Sequence, residues 1–392
     1  MRILMLAHRL PYPPTTGDRI RAYHVARGLA ARHHVTLACP LSADELPAAQ
    51  MLREHIPDME YAALSPLRRW TRALAGVAAG TPISVGYFSS PTLARRIRER
   101  VHNAHYDVVY VLSSSMAQYV PFGVPVLIDF QDVDSEKFAR YGAEGATPLR
   151  WIFRLEAHRL RRYERTAARR ATLAVFVTDA EAMSFRSIAP EATIEVVTGG
   201  VDTEYFHART TVKASAPTII FTGALDYLPN VDAVRYFSDA ILPHVRRHVS
   251  EARFVVVGRH PVRAIRRLAG RTGISVVADV PDVRPYLAAA HVAVAPLRIT
   301  RGLPNKVLEA MAMGLPVVAT PATAPAIDAE VGTQWFVEDS PRAFGARVAT
   351  LLTDAGGRVR VGTAARRLVE TRYSWSATLG RLERLIEAAV PS

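Results

Sequence analysis

The sequence predicts an α/β protein of two Rossmann-like domains, each a doubly wound parallel sheet, facing a central cleft. Three observations carry that prediction. The chain has 392 residues, more than a single core ordinarily fills and enough for two. Short runs rich in Val, Ile and Leu alternate with helical patterns. That alternation occurs as two successive series, separated by the polar segment 207–216.

The first series of strand-like runs lies at 2–7, 35–39, 61–64, 108–112, 124–129 and 173–178, with helical patterns at 19–32, 92–102 and 148–170. The second lies at 218–222, 254–257, 274–278, 292–295 and 317–320, with helices near 230–247, 261–271, 283–289, 304–313 and 341–353. The runs are continuously apolar, as strands covered on both faces must be. Strand–helix alternation implies parallel sheets, whose ligands bind beyond the carboxyl ends of the strands. With two such domains, the cleft between them is the expected site.

Composition excludes several classes. Hydrophobic residues at 49% and charged residues at 22% describe a soluble globular protein. A single cysteine, Cys39, permits no intramolecular disulfide, and no Cys/His spacing resembles a zinc site, so a reducing cytoplasm is expected. The opening Met-Arg-Ile-Leu-Met-Leu-Ala is too short an apolar run for a signal peptide and reads as a first strand. No window reaches the ~18–20 apolar residues of a membrane span. The best candidate, 73–85, is short and holds Gly80 and Pro82. The net charge is +13, and of 49 basic residues only Lys137, Lys213 and Lys306 are lysines. This bias reads as a GC-rich coding sequence rather than a nucleic-acid ligand; no recognition module is visible, and no nucleic-acid partner is expected.

The most informative stretch runs from Arg301 to Val318: a loop, a short helix, then a buried strand. Pro304 suits a first helical turn, Val307, Leu308, Met311 and Ala312 form an apolar face, and Gly314 is a C′ stop. Asn305, Lys306 and Glu309 are spaced to share one side. A helix amino end seats a phosphate, Lys306 adds a cation there, and Glu309 could accept hydrogen bonds from vicinal hydroxyls of a sugar. Anion then polyol is the order of groups in a nucleotide sugar. The pattern also fits an amphipathic helix with a solvated Lys–Glu pair.

Other strand ends carry polar groups too. After the first strand a proline-rich loop leads to Gly17, with Arg19 and Arg21 in the following turn, where cations oppose the helix dipole unless an anion is bound. A turn glycine before a basic helix face is the simpler alternative. After the strand ending at Asp129 come Gln131, Asp132, Asp134 and Glu136, where Asp134 or Ser135 could also cap a helix. In the second series Gly223 and Asp226, Gly258-Arg259-His260, and Asp279 to Asp282 follow three strands. No GxGxxG follows the first strand, which counts against a dinucleotide-dependent oxidoreductase.

These elements, with 198–206 (Thr-Gly-Gly-Val-Asp-Thr-Glu-Tyr-Phe), 221–226 (Phe-Thr-Gly-Ala-Leu-Asp), 280–286 (Val-Pro-Asp-Val-Arg-Pro-Tyr), 308–318 and 373–376 (Tyr-Ser-Trp-Ser), resemble retaining family-4 glycosyltransferases of the two-domain GT-B fold over nearly the whole chain. Residues 129–135, 226–230 and 301–309 resemble a bacterial subgroup linked to exopolysaccharide loci that accompany PEP-CTERM/exosortase systems. The resemblance implies an acceptor-side domain at 1–198, a nucleotide-sugar donor domain at 199–372, and a last helix, 373–392, returning to the first. It implies donor contacts at Gly17, Arg19, Gly223, Arg259, Val280, Asn305, Lys306 and Glu309, with Glu309 on the ribose. It sets Gln131 and Asp132 beside the transferred sugar, Gln131 standing where many relatives have His.

Departures from the family pattern bear on the chemistry. Arg301 stands where many members have a first Glu, eight positions before Glu309. The usual Arg and Lys after the first donor-domain strand are Ala224 and Pro229, and Gly199 replaces an Asn. Arg301 and Lys306 are therefore expected to neutralise the leaving diphosphate as the anomeric C–O bond breaks. The family's front-face retention needs no enzymic nucleophile. The resemblance implies no cofactor and no metal, although Asp132-Val-Asp134 has an Asp-x-Asp form; a UDP- or GDP-sugar would be the donor substrate. Leu67, Trp70 and Leu74 beside Arg68, Arg69 and Arg72, and the arginine-rich 148–170 segment, suit either packed helices or peripheral contact with an anionic membrane, where a glycan or lipid-linked acceptor would sit at the inner face. A nucleotide-sugar epimerase, separable by product analysis without acceptor, and a non-catalytic sugar-binding relative are the alternatives.

Overall fold

The computed structural model describes residues 1–144, 150–207, 213–300 and 302–390. Arg301 and the 208–212 portion of the 207–216 link lie outside the described residues. The chain divides into two compact units, Met1–Thr198 with Leu379–Ser392, and Gly199–Thr378. The last helix, Trp375–Ala389, thus begins in the second unit and continues in the first.

In the first unit β1 (Arg2–Ala7), β2 (His34–Leu41), β3 (Met59–Ala63), β4 (Val108–Leu112), β5 (Val126–Gln131), β6 (Leu173–Phe176) and β7 (Ile194–Val196) form one sheet in the order β3-β2-β1-β4-β5-β6-β7. In the second, β8 (Thr218–Thr222), β9 (Arg253–Gly258), β10 (Ile274–Ala278), β11 (Val292–Ala295), β12 (Val317–Ala319) and β13 (Phe336–Val337) run β10-β9-β8-β11-β12-β13. Every pairing is parallel. Side chains alternate between two covered faces: Ile219 and Phe221 join one apolar cluster, Ile220 and Val257 another. This explains runs that are apolar at every position.

The strand order reverses at β1 in the first sheet and at β8 in the second. Such switch points leave room beyond the strands' carboxyl ends, where ligands of doubly wound sheets bind. The loop from His8 to Gly17 leaves one switch point; the loop from Gly223 leaves the other, and the helix Asn305–Ala312 follows the neighbouring strand β11.

Local structure corrects the sequence reading in several places. Pro304 is the residue before the helix rather than part of its first turn; its ψ of 87° is not helical, and its carbonyl accepts from Val307 at 2.9 Å. At the other end Gly314 has φ 70°, with Gly314 N–H to Met311 (2.9 Å) and Leu315 N–H to Ala310 (3.0 Å), the crossed pair of a Schellman stop. The pattern at 230–247 is three pieces, Leu228–Tyr236, a wide turn Phe237–Ile241, and Leu242–Arg246. Pro243 lacks an N–H and its ring crowds the carbonyl four residues back, which opens the turn before it. Of the expected 148–170 helix, Arg150–Arg170 is helical and 148–149 lie outside the described residues; a separate helix, Asp134–Glu144, lies earlier in the chain. Strands β7 and β13 were not expected; with three and two residues they are too short for a period to register. Among the described residues no helix is long and apolar enough to cross a membrane.

Candidate functional site

At the second switch point the chain leaves β8 through Gly223 (φ 152°) and is pressed onto β9. A Cβ on Gly258 would lie 1.8 Å from the Gly223 carbonyl oxygen, so no side chain fits there. Leu225 N–H then donates to the Arg259 carbonyl at 2.8 Å, which holds the two turns side by side. The turn after β10 joins them: Asp279 N–H donates to Gly258 O at 2.9 Å, and His260 N–H to the Asp279 carboxylate at 2.9 Å. Val280 follows, partly buried.

Lys306 reaches into this cluster from the first turn of the Asn305–Ala312 helix. Its ammonium donates to Asn230 Oδ1 and lies 4.2 Å from the Phe221 ring centroid. A Cβ on Gly223 would stand 3.0 Å from Nζ, so the glycine leaves the ammonium its space. Asn230 is 6% exposed and its Nδ2 donates to the Ala224 carbonyl at 2.8 Å. The amide orientation is dictated, because an ammonium can only donate and a carbonyl can only accept.

The electrostatics of this corner are unusual. Among the described residues no carboxylate lies within ion-pair distance of Lys306; Glu309, one turn along, is the charged group acting on it. Burial pushes the Lys306 ammonium down to about 7, opposed by the Glu309 charge. The Glu309 carboxyl is pushed up to about 7, again by burial, opposed by Lys306. Both charged forms have lost water, and among the described residues neither has an opposite charge in ion-pair contact. Among the described residues no side chain caps the amino end of the helix, so Asn305 leaves it open. Gly223, Arg259, Val280, Asn305, Lys306 and Glu309 therefore all belong to the carboxyl end of one sheet. Arg301 was expected there and lies outside the described residues.

The first switch point is finished differently. Gly17 opens the helix Gly17–Ala30 after a loop with a cis Tyr12–Pro13 bond. Asp18 receives the Thr16 hydroxyl, His8 Nε2 at 3.2 Å and Arg9 at 3.6 Å; burial works to raise its carboxyl, and these partners hold it well below the usual range. Arg19 donates to Glu45 at 2.6 Å. Arg21 does not face an anion site: it is buried, with Nε on Asp129 at 2.6 Å and a second nitrogen on the Thr198 carbonyl at 3.1 Å, while the Tyr110 hydroxyl donates to the same Asp129 oxygen. Gln131 has φ 63° where β5 slips register against β6, and Asp132 N–H turns back to Phe130 O at 2.8 Å. Both side chains are partly buried.

Elsewhere on this unit the Pro66–Ala78 helix exposes Leu67 (74%), Trp70 (54%) and Leu74 (65%) and contains no acid. The Arg150–Arg170 helix exposes Trp151, and its two carboxylates point inward. Glu156 accepts from Ile83 and Ser84 N–H at 2.7 and 2.9 Å, and Glu164 from Ser135 N–H at 3.1 Å. Two of its arginines, Arg165 and Arg169, reach Glu191.

Residues 17–205 match the family model "Glycosyltransferase Family 4", and residues 216–354 match "Glycosyl transferases group 1". The chain is a family-4-like glycosyltransferase. Its fold is the GT-B fold of solved glycosyltransferases. HepE of Anabaena, crystallised with UDP and glucose, is 15% identical over 99% of this chain and all of that one, with a TM-score of 0.69. Sucrose-phosphate synthase of Thermosynechococcus elongatus is 16% identical over 99% of this chain and all of that one, with a TM-score of 0.74. WaaG, a glycosyltransferase involved in lipopolysaccharide biosynthesis, is 17% identical over the full length of both, with a TM-score of 0.66. No curated protein sequence matches the chain significantly. In this glycosyltransferase Asn230, which follows Pro229, links the Ala224 carbonyl to the Lys306 ammonium. Asn230 was missed from sequence. The available signal was an amide in the first turn of a helix whose neighbours, Ala233 and Val234, read as core.

Proposed function

We propose that the second unit holds a nucleotide-sugar donor, with its diphosphate on Lys306 and the amino end of the Asn305–Ala312 helix, and its ribose on Glu309. The observation that supports this best is a desolvated ammonium with no carboxylate in ion-pair reach among the described residues, at the switch point of a parallel sheet. An anion supplies what that site lacks. Gly223 and the backbone at Arg259 border the phosphates, and Val280 borders the base. HepE holds UDP and UDP-glucose in its own crystals, in accord with this reading.

The reaction is transfer of a sugar, of hexosyl type, from a UDP- or GDP-sugar to a glycan or lipid-linked glycan, with retention at the anomeric carbon, in exopolysaccharide or surface-glycan synthesis. The acceptor hydroxyl oxygen bonds to the anomeric carbon as the C–O bond to the diphosphate breaks; the bonding pair leaves with the diphosphate, whose oxygen takes the hydroxyl proton. Negative charge grows on the leaving oxygen, and Lys306, with Arg301, neutralises it. Gln131 and Asp132, on the first unit, serve the transferred sugar; Gly17 and Arg19 complete the phosphate contacts, for which Arg19 would exchange Glu45 for the donor. We place the protein in the cytoplasm at the inner face of the membrane. The acid-free, aromatic-bearing Pro66–Ala78 helix and the outward arginines of Arg150–Arg170 suit an anionic surface.

The test is a thermal-shift and calorimetric screen of UDP- and GDP-sugars against wild type, Lys306→Ala and Glu309→Gln. Stabilisation of wild type by one donor, lost in both variants, is expected. A donor that binds all three proteins equally would overturn the assignment.

A further inference from the structure

We propose that Asn230 is a positioning residue of this site, aiming the Lys306 ammonium at the donor's phosphates without spending its charge. The inference rests on the donor reading above and adds to it the group that holds the cation. A lysine stem has four rotatable bonds and loses much rotamer freedom when fixed. Here two contacts restrict it, Asn230 Oδ1 accepting one ammonium hydrogen and the Phe221 ring 4.2 Å away, while Gly223, having no side chain, leaves it room. Asn230 is itself immobilised, buried at 6% exposure with its NH2 on the Ala224 carbonyl at 2.8 Å. An ammonium has three donors, so one bond to Asn230 leaves two for phosphate oxygens.

The choice of amide over carboxylate follows from the same geometry. An aspartate at 230 could not donate to the Ala224 carbonyl. It would also neutralise Lys306 and set a negative charge against the incoming phosphates. The neutral amide fixes direction and leaves the full charge for the ligand. Glu309 is then the charged neighbour acting on Lys306 among the described residues, and it lies one turn along the helix.

The chain has only three lysines, Lys137, Lys213 and Lys306, so 13Cε-lysine NMR can follow the Lys306 titration directly. The probes are inorganic pyrophosphate, UDP and GDP, titrated into wild type, Lys306→Met, Asn230→Ala and Asn230→Asp. Asn230→Asp is expected to raise the Lys306 titration midpoint by about one pH unit or more. Asn230→Ala and Asn230→Asp are each expected to weaken pyrophosphate binding by about tenfold, the scale of a hydrogen bond to a charged group. A purely structural role would leave the Lys306 titration where it is in wild type. The proposal is overturned if Lys306 titrates identically in all Asn230 variants, or if Lys306→Met loses pyrophosphate binding while both Asn230 variants keep it. If Lys306→Met binds every probe as wild type does, the donor reading fails, and the lysine titration still decides whether Asn230 holds the ammonium.

Discussion

At the first sheet's switch point the cations that open the Gly17–Ala30 helix have found carboxylates: Arg19 on Glu45 and Arg21 on Asp129. At the second, Lys306 rests on a neutral amide and an aromatic ring, and burial pushes Glu309 toward neutrality, with no ion-pair partner among the described residues. Two sheets of the same plan thus treat charge in opposite ways at equivalent places. A cation satisfied inside the protein stabilises the fold. A cation denied an internal anion destabilises it slightly and is available to a ligand, which is why perturbed titrations gather at functional sites.

The contrast can be broken most forcefully at Arg21. Arg21→Met strands the Asp129 carboxylate in the core and should cost about 3–5 kcal/mol, measured by urea unfolding. A harmless Arg21→Met would remove the distinction between the two ends. Next in size, Gly258→Ala drives a methyl into the Gly223 carbonyl and should cost about 3 kcal/mol, with loss of donor binding because the β8 turn moves. Lys306→Met should behave in the opposite sense to Arg21→Met. Stability should stay within about 1 kcal/mol of wild type or rise, since a desolvated charge is replaced by a similar apolar volume, while thermal stabilisation by the donor disappears.

A pH profile sharpens the comparison further. Donor binding needs Glu309 ionised to accept ribose hydroxyls and Lys306 protonated to meet phosphate. Since burial brings both to about 7, affinity should rise to a maximum near neutrality. It should fall on the acid side as Glu309 protonates, and on the alkaline side as Lys306 loses its proton. Glu309→Gln should abolish the acid limb and keep the alkaline one; a profile flat across neutrality would contradict the assignment. The smallest effect on stability belongs to the surface: Leu67→Ser with Leu74→Ser should change stability by about 0.5 kcal/mol or less. The same pair should lose co-sedimentation with phosphatidylglycerol vesicles, and unchanged sedimentation would remove the membrane from the account.

Most of the fold was legible because doubly covered strands must be apolar throughout, and β1, β4, β8, β10 and β11 lie at the expected residues. The very short strands, β7 and β13, were not legible, because two or three residues carry no period. Around the candidate site, Lys306 and Glu309 announced themselves as polar residues on an apolar helix. Arg21 misled, since a cation at a helix start looks the same in sequence whether it faces solvent, a ligand or a buried aspartate 108 residues away. Asn230, although inside the 226–230 motif, did not show its role for the matching reason: its partner is 76 residues distant, and only the folded β8 turn brings the two together.

The most direct test is a crystal structure of the protein with a bound nucleoside diphosphate. The account predicts phosphate oxygens within hydrogen-bond reach of the Lys306 ammonium and the amino end of the Asn305–Ala312 helix, with the ribose hydroxyls on Glu309. A diphosphate seated away from Lys306, or a ribose that makes no contact with Glu309, would contradict it.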